Sequence, residues 1–260
     1  MDASLYPRMA ALEDAHWWFA ARRAIVGRLL DRIELAPDAV ILEPGCGTGG
    51  NFPLLARRGR LFAIDRDPAA IQFAAARGLA EIAEGALPDQ IPFGATRFDL
   101  VVMTDVLEHL DDPGAALRAL HARLKPGGSI LITVPAGPWM WSDHDVTHHH
   151  RRRFRARELD ALLRVAGFET IYLSHYNFLL FPLIAGARIL PRRRSRDRAA
   201  PRHDLAMPPA ALNRVLRAVF ASERIVIGAA RVPFGVSLIA IARAIPERAQ
   251  SPAISAAGVA

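Results

Sequence analysis

From residue 40 to 174, short apolar, β-branched runs alternate with segments of helical periodicity, the pattern of a doubly wound, mostly parallel α/β sheet. Residues 40–43, 60–65, 80–84, 98–104, 129–135 and 169–174 are the predicted strands. Asp67-Pro68 and Asp112-Pro113 each set an N-cap acceptor before a proline at the first helical position, where the missing N–H costs nothing. Gly127, Gly128 and Gly167 fall where a helix must stop and turn into the next strand. Residues 8–33 read as one leading helix outside this series.

After Ser174 the periodicity changes. Residues 176–190 are apolar and 192–202 hold six arginines broken by Pro201. Leu212, Val215, Leu216, Val219 and Phe220 then follow i, i+3, i+4, i+7, i+8 spacing, with Arg214 and Arg217 between them, as in an amphipathic helix. Residues 235–243 return to strand character and are expected to add a seventh strand at the far edge of the sheet. The predicted organisation is an N-terminal helical cap (1–38), a main domain (39–175 plus 233–245), a helical insertion before the last strand (176–232) and a frayed tail (246–260).

Composition narrows the class. The 260 residues are 52% hydrophobic and 23% charged, which excludes disorder and coiled coil. The lone Cys46 makes no intramolecular disulfide, and the first residues lack the apolar stretch of a secretory signal. A cytoplasmic chain is expected. The net charge of +7 is uneven: residues 1–135 hold 14 basic and 17 acidic side chains, residues 136–260 hold 19 and 9. An anionic partner for the second half would explain this, as would an arginine-for-lysine bias, since Lys125 is the one lysine. Nucleic acid is not the expected partner.

The first strand runs into Glu43-Pro44-Gly45-Cys46-Gly47-Thr48-Gly49-Gly50-Asn51, a glycine turn leading to a helix. Gly45, Gly47 and Gly50 match GxGxxG, and Asp65 lies 20 residues beyond Gly45, suited to two ribose hydroxyls. Both NAD(P) and another nucleoside fit this pattern. Glu43 separates them: a pyrophosphate needs donors and positive field, whereas a carboxylate suits an ammonium.

With Glu43–Gly49, Asp65, the run from Phe98 into Asp105-Val106-Leu107-Glu108-His109, and Leu124-Lys125-Pro126-Gly127-Gly128, the chain resembles the class I S-adenosylmethionine-dependent methyltransferase family, of the type 11 or type 23 kind. The resemblance implies a Rossmann-like methyltransferase fold and S-adenosyl-L-methionine as cofactor. It further implies that Gly45, Cys46 and Gly47 line the methionyl part, with Glu43 and Gly49 also contacting the cofactor, that Asp65 holds the ribose and Arg66 flanks the adenine, and that Thr104, Asp105 and Val106 close the pocket. The family's acidic residue after strand three is missing here, so backbone of Ala86, or Asp89, would meet the adenine. In the leading helix, Arg22 would hold the methionine carboxylate. Trp17 and Trp18 either exclude water there or anchor the helix, and two adjacent tryptophans are not expected to face one core.

The loop after strand five carries the acceptor chemistry. His144, His148, His149 and His150 with Asp143 and Asp145 suggest proton handling or a metal site. Without a helical pattern or a cysteine, no metal is expected; His144 and His148 are the candidate general bases. His109 reads as a histidine satisfied by backbone. Arg151–Arg153 would grip an anionic group or simply begin the next helix. The apolar and basic insertion fits an anionic surface at the inner face of the membrane or a lipid-linked substrate; equally, it forms a helical pair against the domain or a second copy. The expected activity is methyl transfer to a small-molecule or lipid-linked acceptor. The alternatives are an NAD(P)-dependent oxidoreductase and a non-catalytic nucleotide-binding scaffold.

Overall fold

The computed structural model describes residues 5–189 and 206–246. The arginine-rich stretch 192–202 and the tail after Pro246 lie outside the described residues. Strands β1 (Val40–Pro44), β2 (Arg60–Asp65), β3 (Glu81–Glu84), β4 (Phe98–Thr104), β5 (Leu124–Pro135), β6 (Phe168–Tyr176) and β7 (Ser237–Ala244) form one sheet in the order β3-β2-β1-β4-β5-β7-β6. The first five pair in parallel, so β1, β4 and β5 all end at one edge of the sheet, where ligands bind in such folds.

The last strand is not at the far edge. β7 enters between β5 and β6, antiparallel to both. Its composition explains this: from Ser237 to Ala244 only Arg243 is exposed, as expected of a strand covered on both faces. β6 alternates buried and exposed positions and takes the edge.

Alternate strand residues build the two faces. Ile41, Leu100, Val102, Leu131, Ile239 and Ile241 meet α2 (Trp17–Leu30), α3 (Phe52–Leu55) and Phe220 of α9 (Ala210–Ser222). Leu42, Val101, Met103, Ile130, Ile132 and Leu238 meet α5 (Pro113–Arg123) and α7 (Ala156–Val165) on the other side. α4 (Pro68–Ala75) packs beside β2 and β3, and α8 (Phe181–Ile189) follows the edge strand β6.

The leading segment is two helices, α1 (Tyr6–Leu12) and α2, not one. Glu13 turns inward between them, buried at 5% exposure, and His16 takes an extended conformation before α2. Asn213 of α9 supplies a long-range cap: its Oδ1 accepts from Trp17 N (2.8 Å) and its Nδ2 donates to the Ala15 carbonyl (3.0 Å). Because α9 crosses the start of α2, both tryptophans reach Phe220, with ring centroids 6.0 Å and 5.2 Å away. The expected separation of the two rings is thereby corrected. Along the apolar stripe of α9, Phe220 is buried while Leu212 and Val215 stay exposed.

Candidate active site

The glycine turn is shaped by what crowds it. Gly45 has φ +68°, and a Cβ there would lie 2.6 Å from Val106 Cγ2 across the turn. Its N–H and that of Cys46 both donate to the Ile64 carbonyl (2.8 and 3.1 Å), pinning the turn to β2. Asp65, at the end of β2, accepts from Gly47 N through Oδ2 (2.9 Å) and from Asp67 N through Oδ1 (3.0 Å). Its carboxylate is thus fixed in the groove between the first two strands. Arg66 beside it is exposed. Both backbone groups of Ala86 are engaged with Gln90 across a short turn (3.0 and 2.8 Å), so the expected adenine contact competes with an existing pair.

Glu43 is buried. Its Oε1 accepts from Asn51 Nδ2 (2.7 Å), which also reaches Thr104 Oγ1 (3.1 Å), joining the ends of β1 and β4. Burial pushes the Glu43 carboxyl up to about 8, against the pull of Asn51 and the Arg22 charge. Arg22, from α2, is ion-paired with Asp105 at the end of β4. Asp105 sits at φ +56°, held there by Asp105 N donating to the Thr133 carbonyl (3.0 Å) and Thr133 Oγ1 donating to Oδ1 (2.9 Å). A positive φ outside glycine is uncommon and gathers at functional sites. Burial pushes the Cys46 thiol up, away from the thiolate form.

A latch that the sequence pattern did not suggest closes this side. Glu13 accepts from Thr48 Oγ1 (2.5 Å) and Arg77 Nη2 (2.6 Å), and a Cβ on Gly50 would collide with Glu13 Oε2. The helical cap thus bears directly on the glycine turn.

The loop after β5, expected to carry the acceptor chemistry, lies at the same edge of the sheet. Contrary to expectation it holds a short helix, α6 (Asp143–Thr147), started by a capping box between Ser142 and Asp145. His144 and His148 share one face of it, with ring centroids 4.4 Å apart, and both lie about 6 Å from the His150 ring (5.9 and 6.0 Å). His150 in turn meets His109 at 5.0 Å, so the loop joins the short 3-10 helix Leu107–His109 that follows β4. Burial, with the neighbouring His150 ring, pushes His109 down to about 4. Burial alone would raise Asp145, but hydrogen bonds from His150 and Arg153 hold it well below the usual carboxylate range. The three arginines are committed within the protein. Arg151 pairs with Asp111, Arg152 bonds the Leu110 and Asp111 carbonyls (3.0 Å each), and Arg153 bonds Asp145 (2.8 Å) and the Ala136 carbonyl (2.9 Å).

Beside this loop, Trp139 packs on Phe181 of α8 (6.0 Å), and Phe181 on Phe234 (5.7 Å). Trp139, Trp141, Leu183 and Phe234 remain exposed, forming an apolar rim.

Comparison with known proteins gives this arrangement its class. The family model described as a methyltransferase domain matches residues 16–173, and the chain belongs to that family. It is 31% identical over 162 residues to an S-adenosylmethionine-dependent methyltransferase of Mycolicibacterium smegmatis, covering 61% of this chain and 62% of that protein. It is 30% identical over 161 residues to the ubiquinone biosynthesis O-methyltransferase of Pseudomonas entomophila, covering 54% and 68%. The matched span is thus less than two thirds of the first relative's length. Among solved structures, the complex of the Haloferax volcanii Trm112 methyltransferase activator with a methyltransferase contains a chain of the same fold. That chain is 20% identical, with a TM-score of 0.61, over 94% of this chain and 97% of its own.

The cofactor of that family is S-adenosyl-L-methionine, and the residues present fit it. Two buried atoms, Glu43 Oε2 and Arg22 Nε, lack hydrogen-bond partners, one an acceptor suited to an ammonium and the other a donor suited to a carboxylate. An ammonium is matched by the ionised form of the Glu43 carboxyl, whereas a pyrophosphate would give it no counter-charge.

Proposed function

We propose that this chain transfers a methyl group from S-adenosyl-L-methionine to an apolar small-molecule or lipid-linked acceptor. When bound, the cofactor supplies a methyl carbon activated by a sulfonium. Glu43 takes its ammonium, Arg22 its carboxylate and Asp65 its ribose hydroxyls, while Gly45, Cys46, Gly47, Gly49, Thr104 and Val106 form the walls. Ala86 and Arg66 border the adenine. His144 or His148 accepts the proton of an acceptor hydroxyl, a contribution of roughly 10²- to 10⁴-fold. Alignment of nucleophile and methyl carries the larger share, up to ~7–11 kcal/mol in favourable cases.

The observation that carries the donor reading is the buried, half-satisfied carboxyl of Glu43 beside the glycine turn. The exposed rim of Trp139, Trp141, Leu183 and Phe234 supports an apolar acceptor. Arg214 and Arg217 of α9, with Arg224 in the short 3-10 turn after it, line an open cavity that none of the glycine-turn residues shares, which supports an anionic surface nearby. Among the described residues no helix is long and apolar enough to cross a membrane.

Calorimetric titration with S-adenosylhomocysteine and, separately, with NAD and NADP tests the donor. Binding of the first alone is expected; binding of a dinucleotide alone refutes the reading in favour of an oxidoreductase. Transfer of tritiated methyl to fractionated cell lipids and small molecules tests the acceptor, and label confined to polar fractions refutes an apolar one. Cofactor binding with no label in any fraction favours the scaffold.

A further inference from the structure

The loop after β5 and the turn after β4 bring three metal-ligating side chains together: Glu108, His109 and His150 each offer a donor atom, all within 4.8 Å of one another. Glu108 is fully buried, yet neither of its carboxylate oxygens has a hydrogen-bond partner. Two orphaned acceptors on one buried group are unfavourable unless something positive satisfies them. His150 does not do so directly, because its Nε2 stands 4.0 Å from Glu108 Oε1, beyond hydrogen-bond reach.

The surrounding contacts orient both rings. His150 Nδ1 bonds Asp145 Oδ1 (2.9 Å), and Asp145 is itself held by Arg153 (2.8 Å), a carboxylate–histidine arrangement that leaves Nε2 as the ligand nitrogen. His109 Nδ1 lies 3.3 Å from the His149 carbonyl oxygen, which likewise leaves Nε2. The 108–111 and 151–152 backbones are stitched together by Arg151 N donating to the Glu108 carbonyl (2.9 Å) and by both arginine side chains, so the two ligand-bearing segments form one unit.

We propose that Glu108, His109 and His150 bind one divalent cation of the zinc, cobalt or manganese kind, with Asp145 and Arg153 as its supporting shell. Two imidazoles and one carboxylate are a recurrent set for such ions, and they leave coordination positions for water or an oxygen donor. Two ligands about 2.0–2.1 Å from a tetrahedral ion are roughly 3.3 Å apart. From separations of up to 4.8 Å, the donors must therefore move toward one another when an ion binds. The site goes beyond methyl transfer and depends on no part of that reading, since metal uptake is measured without cofactor or acceptor.

The test is titration of the chelator-treated full chain with Co²⁺, read by visible d–d absorption, with Zn²⁺ as competitor. One ion per chain is expected, displaced by Zn²⁺. Glu108→Gln and His150→Ala should each weaken Co²⁺ binding by at least ~100-fold, and Asp145→Asn by roughly 10- to 100-fold. Circular dichroism melts establish which variants are folded; His109→Ala, at a half-buried position, provides the reading if the Glu108 variant is not. Uptake below a tenth of an equivalent by the wild-type chain overturns the proposal. So does equal affinity in the wild type and the folded variants.

Discussion

The guanidinium of Arg22 is ion-paired with the carboxylate of Asp105, tying the helical cap to the end of the strand nearest the proposed chemistry. Replacing Asp105 by Asn leaves Arg22 desolvated and without a counter-charge. Breaking a fully buried pair costs about 3–5 kcal/mol; with a quarter of the Asp105 side chain in water the loss should be smaller, about 2 kcal/mol. Urea unfolding measures it, and a change under ~0.5 kcal/mol would show that the pair contributes little.

Glu43 sets a pH dependence. With its carboxyl at about 8, the free protein holds it protonated at neutral pH, and a ligand ammonium favours the ionised form. Affinity for S-adenosylhomocysteine should therefore rise with pH up to about 8, by at most ~tenfold per unit, and then level off. Calorimetry in buffers of different ionisation enthalpy should detect proton release, and Glu43→Gln should abolish it. Without ligand the sign reverses. Between about 4.5 and 8 the folded chain binds the extra proton, so this group's contribution to stability falls as pH rises through that window.

Gly45→Ala meets two obstacles, the positive φ and Val106 Cγ2 at 2.6 Å. A loss of roughly 1–3 kcal/mol is expected, with cofactor binding abolished. Adding Val106→Ala removes the collision but not the backbone strain, and should restore part of the stability. Thermal melts of the two variants decide this; full recovery would mean that the backbone conformation costs nothing.

His144→Ala and His148→Ala separate base catalysis from binding. If one imidazole takes the acceptor proton, its loss should lower turnover by roughly 10²- to 10⁴-fold while affinity for S-adenosylhomocysteine stays within a factor of two. Unchanged turnover in both variants would retire the base role.

Asn213→Ala removes the long-range cap of α2. A cost of about 1 kcal/mol is expected, as for other helix-capping residues, and amide exchange should quicken at Trp17 and Trp18. Slowed or unaltered exchange there would mean that Phe220 alone holds the seam.

Much of this architecture is legible in the chain. The alternation of β-branched runs with capped helices marks the parallel strands, and Glu43 before the glycines distinguishes a phosphate-free ligand. What escaped depends on partners remote in sequence. Nothing local to residues 8–33 announces that Glu13 will turn inward to Thr48 and Arg77, or that Asn213 will cap a helix nearly two hundred positions earlier. The interior position of β7 did leave a trace, an unbroken apolar run where an edge strand would alternate, as β6 does. The histidine loop reads as undifferentiated because Glu108, His109 and His150 become neighbours only through the pairing of β4 with β5.

The wedging of β7 between β5 and β6 has a consequence for assembly. Until residue 244 is available, two unsatisfied ribbons face a vacant slot, and the edge ribbon has no purchase on the rest of the sheet. The slot opens beside β5, whose far end leads into the histidine loop. The final placement of that loop therefore waits on the threading of a single late segment, and truncation upstream of it should yield a sticky, self-associating product instead of a smaller folded domain.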